Sequence, residues 1–289
     1  MKINRIKKIG FIGLGVMGMS MFRNLSKSNN YEVNGFDIDK EKMNRTDLKK
    51  SISIEEIFKK NDLIITCLPG GAQVEELFFK KKMINFVREK QIIVDMSTSQ
   101  PQLMVEISNN IKNKNAFFVD APIARTRQAA IDGTLAIMVG SQKEIFDIVK
   151  PVFELMGSDV MYCGNIGSGQ FTKILNNMIL FQNVLALTEA CQIAENYDLN
   201  VEQLFQNISK CSGASFALKN HGLKSIVKNY YPKRAFSVEY AKKDLSYAIE
   251  LAENKNITLR GCKNINDLFS NAIDEGYGDL YFPVIKKII

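Results

Sequence analysis

Over its first 165 residues or so the chain alternates short apolar runs with amphipathic stretches, and then its texture changes. Apolar runs of strand length lie at 8–13, 32–37, 62–68, 91–95, 116–120 and 135–140, separated by polar and apolar residues in helical rotation. That alternation predicts βαβ units around a mostly parallel sheet. Several runs end at turns: Leu68-Pro69-Gly70-Gly71, Met96-Ser97-Thr98-Ser99-Gln100-Pro101 and Ala121-Pro122. In an open α/β sheet, loops beyond the carboxyl ends of the strands line the ligand crevice. From Gly164, the segment Gly-Asn-Ile-Gly-Ser-Gly reads as a flexible connection, and an unbroken helical pattern follows from about Gln170 to Asn196. Apolar positions at helical spacing in 201–209, 236–253 and 263–275 predict an all-helical remainder.

The first apolar run leads into Gly13-Leu14-Gly15-Val16-Met17-Gly18, and an amphipathic helix follows directly. Glycine at 13 permits a tight turn, at 15 it lets a pyrophosphate approach the backbone, and at 18 it lets helix and strand pack closely. The helix N-terminus then offers N–H groups to phosphate. This turn, from Gly13 to Gly18, is the expected cofactor cradle. Asp37 closes the second run about 20 residues further on, where a carboxylate accepts the ribose hydroxyls and repels a 2′-phosphate. The nearest basic residues, Lys40 and Lys42, come a few positions later rather than beside it, which favours NAD over NADP. A second reading makes Asp37 a cap for the helix that begins near Asp39. The predicted architecture is α/β: an NAD-binding domain with a mostly parallel sheet over 1–165, then an all-α domain over 166–289 that opens with a long helix.

Composition narrows the partners. With 289 residues, 46% hydrophobic and 24% charged, the chain is ordinary globular protein long enough for two domains or one large one. The net charge of +7 raises the question of nucleic acid, but the lysines are dispersed. Dense groups such as Lys80-Lys81-Lys82 and Lys242-Lys243 are short and carry no binding motif, so the charge predicts a solvated surface that attracts small anions. Five cysteines, odd in number and without a CxxC pair, read as reduced thiols. His221 is the only histidine, which leaves no His-based metal site and reads as a surface or satisfied polar group. No apolar run reaches 18 residues, and Met1 to Lys8 leads straight into the first strand. The expectation is a cytoplasmic protein with no membrane or nucleic-acid partner.

The segment Gly169-Gln-Phe-Thr-Lys173-Ile-Leu-Asn176-Asn177 places Lys173, Asn176 and Asn177 at i, i+3 and i+4, hence on one helix face. The flanking Phe171, Ile174, Leu175, Met178 and Ile179 are apolar. If that face is buried, desolvation moves a lysine toward the range useful for acid–base catalysis. If it is not, Lys173 is a solvated surface group.

Taken in order, Gly13 to Leu25, the Leu68-Pro69 turn, Asp95-Met-Ser-Thr98, Asp120-Ala-Pro122, Gly133 to Gly140, Gly167 to Asn177 and Lys243-Asp244-Leu245 resemble the β-hydroxyacid dehydrogenase family over nearly the whole chain. That family includes 3-hydroxyisobutyrate dehydrogenase, tartronate semialdehyde reductase and sulfolactaldehyde reductase. The resemblance implies Lys173 as general acid and base, with Asn177 orienting the substrate oxygen and Asn176 beside it. It implies a Rossmann domain over 1–165, an all-α substrate and dimerisation domain over 166–289 that opens with an interdomain helix, Leu68, Pro69 and Thr98 at the cofactor, Lys243 at its nicotinamide end, and a homodimer or homotetramer. An ammonium beside a developing alkoxide stabilises charge formed only in the transition state.

One loop departs from the family pattern. Where Asp-x-Pro-Val-Ser-Gly-Gly is common, this chain has Asp120-Ala-Pro-Ile-Ala124-Arg125-Thr126, without the serine or either glycine. An arginine there offers a planar fork for a carboxylate or sulfonate. With Arg125 and Thr126 at the substrate, the loop looks most like the sulfolactaldehyde reductase branch. Arg125 as an exposed loop residue, with Arg127 binding the anion instead, is the competing reading. The expected activity is NAD-dependent interconversion of a short anionic aldehyde and its hydroxy acid without metal, of the 3-sulfolactaldehyde type. The alternatives are 3-hydroxyisobutyrate, succinic semialdehyde or tartronate semialdehyde, or an NAD-binding protein without catalysis.

Overall fold

The computed structural model describes residues 5–44 and 53–289. The chain divides into two compact units, Met1–Lys173 and Ile174–Ile289. In the first, β1 (Lys8–Ile12), α1 (Val16–Ser26), β2 (Glu32–Phe36), α2 (Lys40–Met43), α3 (Ile54–Lys60), β3 (Leu63–Thr66) and α4 (Gly71–Glu75) follow in order. Then come β4 (Ile92–Asp95), α5 (Pro101–Lys112), β5 (Phe117–Asp120), β6 (Ile123–Ala124), α6 (Arg127–Asp132), β7 (Leu135–Gly140), α7 (Lys143–Phe153) and β8 (Gly157–Gly164). The sheet order is β2-β1-β3-β4-β5-β7-β6, with β8 beside β7. Pairs among β1 to β5 are parallel, while β7 runs antiparallel to β5 and β6. Because β2 and β3 flank β1 on opposite sides, the strand order reverses at β1, the place where α/β sheets bind ligands. This is a Rossmann-like arrangement.

Alternate strand residues bury opposite faces. Ile9, Phe11, Leu63, Ile65, Ile92 and Val94 pack with Met21, Phe22 and Leu25 of α1, whereas Ile64, Ile93 and Phe118 pack with Phe58 and with Met104 and Ile107 of α5. Burial on both faces is why these strands are continuous apolar runs. β8 escaped the sequence reading because it lies beside β7 with much of Gly157–Gly164 solvent-facing, which removes the apolar signal. Residues 164–169 are not the flexible connection expected. Ser141 donates to the Gly164 carbonyl at 2.9 Å, and Gly167 N–H donates to the Asp120 carboxylate at 2.7 Å.

The helix α8 (Ser168–Asn196) starts in the first unit and continues through the division. The second unit then adds α9 (Val201–Ile208), a π-helical stretch over Leu218–Ile226, α10 (Val238–Glu253), α11 (Arg260–Asp274) and a 3-10 turn at Phe282–Lys287. Its core is aromatic: Phe181 packs against Phe236, Phe269 and Phe282 with ring centroids 5.8, 5.4 and 5.2 Å away. His221, expected at the surface or fully satisfied, is instead buried, its Nδ1 bonded to the Tyr281 hydroxyl and its Nε2 without a partner among the described residues. Burial and the nearby Lys224 charge push its pKa down to about 4. Among the described residues, no helix is long and apolar enough to cross a membrane.

Candidate active site

The turn after β1 is built on glycine. Gly13 has φ +98°, and a Cβ there would lie 2.3 Å from the Cys67 carbonyl oxygen, so neither its conformation nor its space admits a side chain. A Cβ at Gly18 would lie 2.0 Å from the Gly13 carbonyl oxygen, which sets how closely α1 approaches β1. Gly15 is different: nothing lies within 4 Å of where its Cβ would stand. It is the N-cap of α1, no side chain caps the helix, and Val16 beside it is exposed while Met17 is half-buried. Open space over uncapped helix N–H groups suits a pyrophosphate, and the turn therefore fits a dinucleotide.

Asp37 is buried and ties this turn down. Its Oδ2 accepts from Leu14 N–H at 2.7 Å and its Oδ1 from Asp39 N–H at 2.9 Å. Lys42 is not set apart from it as expected. The short helix α2, capped by the Asp39 side chain, folds the Lys42 ammonium back to 3.4 Å from Asp37 Oδ2. Cap and carboxylate are thus separate residues, since Asp39 accepts from Glu41 N–H at 2.9 Å.

A chain of buried polar contacts runs from the Leu68 turn to α8. Leu68 N–H donates to Ser97 Oγ at 2.9 Å, and Ser97 Oγ–H donates to Asp95 Oδ1 at 2.6 Å, where Thr66 Oγ1 also donates at 2.7 Å. The Gln170 side chain then bridges the loop carrying Thr98. Its Nε2 donates to the Ser97 carbonyl at 2.8 Å, and its Oε1 accepts from Ser99 N–H at 3.0 Å. Gln170 N–H in turn donates to Asp120 Oδ2 at 2.9 Å. Burial pushes both carboxyls above the usual range, Asp120 up to about 7, against the pull of the Gly167 and Gln170 N–H groups. Thr98 is half-buried and Pro69 exposed at the rims of these turns.

On α8, Lys173 and Asn177 are buried, 8% and 2% exposed, so the face at i and i+4 is not a solvated one. Asn177 Oδ1 accepts from Asn176 Nδ2 at 3.1 Å, and Asn177 Nδ2 donates to Asp244 Oδ2 at 2.7 Å. Asp244 lies on α10, which Ser237 caps through its side chain. Lys243 Nζ sits 2.8 Å from Asp244 Oδ1 and over the Tyr247 ring at 5.1 Å. The predicted residues Asn176, Asn177 and Lys243 are therefore joined through a carboxylate to which the sequence reading gave no role. Asp95, Ser97, Asp120 and Gln170 were missed likewise, although carboxylates closing apolar runs were a usable signal.

Arg125 and Thr126 bond to groups of the first unit. The Arg125 guanidinium donates to the Thr134 carbonyl at 2.7 Å and Ser158 Oγ at 2.8 Å, and pairs with Asp159 at 2.6 Å. The Ser158 hydroxyl and then Arg125 hold the Asp159 carboxyl below its usual range. The exposed planar fork thus has three acceptors of its own chain within reach. Arg125 also has φ +86°, the left-handed region that favours glycine, so the loop keeps a glycine-like turn at the position where the family commonly has one. Thr126 uses its hydroxyl to cap α6, accepting from Ala129 N–H at 3.3 Å. Arg127 is exposed.

Residues 8–164 match the NAD binding domain of 6-phosphogluconate dehydrogenase, and residues 167–285 match the family described as NAD-binding of NADP-dependent 3-hydroxyisobutyrate dehydrogenase. The chain belongs to the β-hydroxyacid dehydrogenase family. This dehydrogenase is 30% identical to the 2-(hydroxymethyl)glutarate dehydrogenase of Eubacterium barkeri, over 97% of this chain and 94% of that one. It is 30% identical to the mitochondrial 3-hydroxyisobutyrate dehydrogenase of Drosophila melanogaster, over 98% and 89%. The 3-hydroxyisobutyrate dehydrogenase of Mycobacterium tuberculosis, solved with L-serine, superposes with a TM-score of 0.88 at 26% identity, covering 98% of this chain and 99% of that one. Membership makes the chain an NAD(P)-dependent oxidoreductase acting on a CH–OH group.

Proposed function

We propose that this dehydrogenase interconverts a short β-hydroxy carboxylic acid and its semialdehyde, with Lys173 giving the proton to the carbonyl oxygen, or taking it from the hydroxyl in the oxidative direction. The observation that carries the reading is the buried Lys173 one helical turn from a buried Asn177 whose amide is held by Asp244. In that reading Gly13 to Gly18, Asp37, Leu68, Pro69 and Thr98 hold the dinucleotide, with Lys243 at its nicotinamide end. NAD, when bound, supplies or accepts the hydride. Asn177 orients the oxygen that Lys173 protonates, and an oriented amide beside an ammonium favours the charge that develops there.

A carboxylate is favoured over a sulfonate because the sulfonate reading rests on Arg125, which faces Asp159. The β-hydroxy acid is supported by L-serine in the Mycobacterium tuberculosis relative, since serine carries a carboxylate and a β-hydroxyl. It is supported again by the 2-hydroxy-3-oxopropionate reductase of Escherichia coli, 29% identical. A homodimer or homotetramer belongs to the same proposal, supported by apolar residues exposed on α8 such as Ile179 and Ile193.

Lys173→Ala is expected to lower kcat by about 10²–10⁴, the contribution of a positioned general acid, while NADH binding measured by fluorescence titration is retained. Unchanged turnover would end the mechanism. NADH oxidation with methylmalonate semialdehyde, tartronate semialdehyde, succinic semialdehyde and 3-sulfolactaldehyde decides the acid group. A preference for the last returns Arg125 to the substrate.

A further inference from the structure

The buried carboxylate of Asp120 sits in a socket shaped for it. Its two oxygens accept one backbone N–H each, Gly167 at 2.7 Å and Gln170 at 2.9 Å. Space around it is kept by glycine: a Cβ at Gly140 would stand 2.4 Å from Oδ1, and one at Gly169 would stand 2.8 Å from Oδ2. The positive φ of Gly167, +91°, belongs to the turn that aims its N–H at the carboxylate. Those two donors bracket the start of the helix that presents Lys173 one turn later. The Gln170 side chain then bonds both Ser97 and Ser99, on either side of Thr98.

We propose that Asp120 and Gln170 are positioning residues: together they fix the helical turn bearing Lys173 to the loop Ser97–Ser99, and so set where the lysine ammonium stands during proton transfer. An exposed cap would stabilise a helix without fixing it to a second loop. Here the same residue, Gln170, is bonded through its backbone to Asp120 and through its side chain to the loop. Misplacement of a catalytic group by about 1 Å can cost on the order of 10²-fold in rate, so a socket of this kind acts on the chemical step rather than on binding.

The inference rests on the reading of Lys173 as proton donor, and a double-mutant cycle separates the two. Asp120→Asn, which keeps the shape but turns an amide N–H toward one of the two donors, is made in the wild-type and Lys173→Ala backgrounds. Hydride transfer is followed in single turnovers with enzyme in excess, using whichever substrate of the panel the enzyme accepts. In the wild type the rate is expected to fall about 30-fold with the NADH dissociation constant within about threefold. In the Lys173→Ala background it is expected to change less than about twofold, because the group that Asp120 positions is gone. A similar loss in both backgrounds, or none in the wild type, overturns the inference. An active Lys173→Ala enzyme overturns the prior reading instead. If Asp120→Asn does not fold, Gln170→Ala carries the same cycle with the same outcomes.

Discussion

The two units hold their buried carboxylates in different ways. In the N-terminal unit the partners are mainly backbone: Leu14 and Asp39 N–H for Asp37, Gly167 and Gln170 N–H for Asp120, and Ser97 N–H with two hydroxyls for Asp95. In the C-terminal unit Asp244 is met by side chains, the Asn177 amide and the Lys243 ammonium. A carboxylate that gathers backbone donors decides the path of a loop. One that gathers side chains decides the aim of a functional group. The Rossmann-like unit thus uses charge to shape turns, and the helical unit uses it to point residues.

That contrast can be broken most sharply at Asp120. Replacing it with alanine leaves two buried N–H groups without an acceptor, at about 1–3 kcal/mol each. Asp244→Ala strands one buried donor, the Asn177 amide, while Lys243, 27% exposed, can turn toward water, and is expected to cost about 1–2 kcal/mol. Urea unfolding followed by hydrogen exchange in each unit's core measures both. Equal losses would show that the kind of partner does not matter. Asp244→Ala is also expected to lower kcat by about tenfold through Asn177, leaving NADH binding intact.

A smaller effect separates the units by pH. Burial raises Asp120 from 3.8 to about 7, so its contribution is fully present below pH 3.8 and is lost as pH rises toward 7. Burial lowers His221 from 6.5 to about 4, so its contribution is present above pH 6.5 and is lost as pH falls toward 4. Between pH 5 and 7 the two groups pull their units in opposite directions. Hydrogen exchange at both pH values should show the Asp120→Asn variant flattening the first trend and His221→Phe the second, and parallel trends would contradict this. The smallest change is expected at Arg125, where the N-terminal unit uses a side-chain partner. Arg125→Gly loses an exposed, solvent-screened ion pair. It also relieves a left-handed φ, so the urea midpoint should not fall and KM should stay within about twofold. A large rise in KM for the anionic substrate alone would place the guanidinium on it.

Much of this was legible from residue order. β1 and β3 to β5 were readable because both faces are buried, and the turn at Gly13 because glycine is sterically required there. Lys173 and Asn177 could be paired because helical spacing is local. β6, of two residues, and the solvent-facing β8 had no periodic signature. Partner choice was harder still. Asp244 meets Asn177 across 67 residues, and Arg125 turns to Ser158 across 33, distances over which composition carries no directional information. Lys42 lies near enough in sequence to Asp37, and a helix beginning near Asp39 was expected, but that its single turn brings the ammonium back to the carboxylate was not.

The double duty of Asp37 bears on how the coenzyme preference of this enzyme could change. Loss of a carboxylate at the end of the second strand removes the repulsion of a 2′-phosphate, and Lys42 already stands close by. Yet the same carboxylate accepts from Leu14 and Asp39, so alanine or glycine at this position would loosen the very turn that any dinucleotide must use. Asparagine sheds the charge but keeps only one acceptor oxygen and turns an amide N–H toward the other donor, so a drift from one coenzyme to the other costs part of this turn unless Leu14 or Asp39 N–H finds a new acceptor.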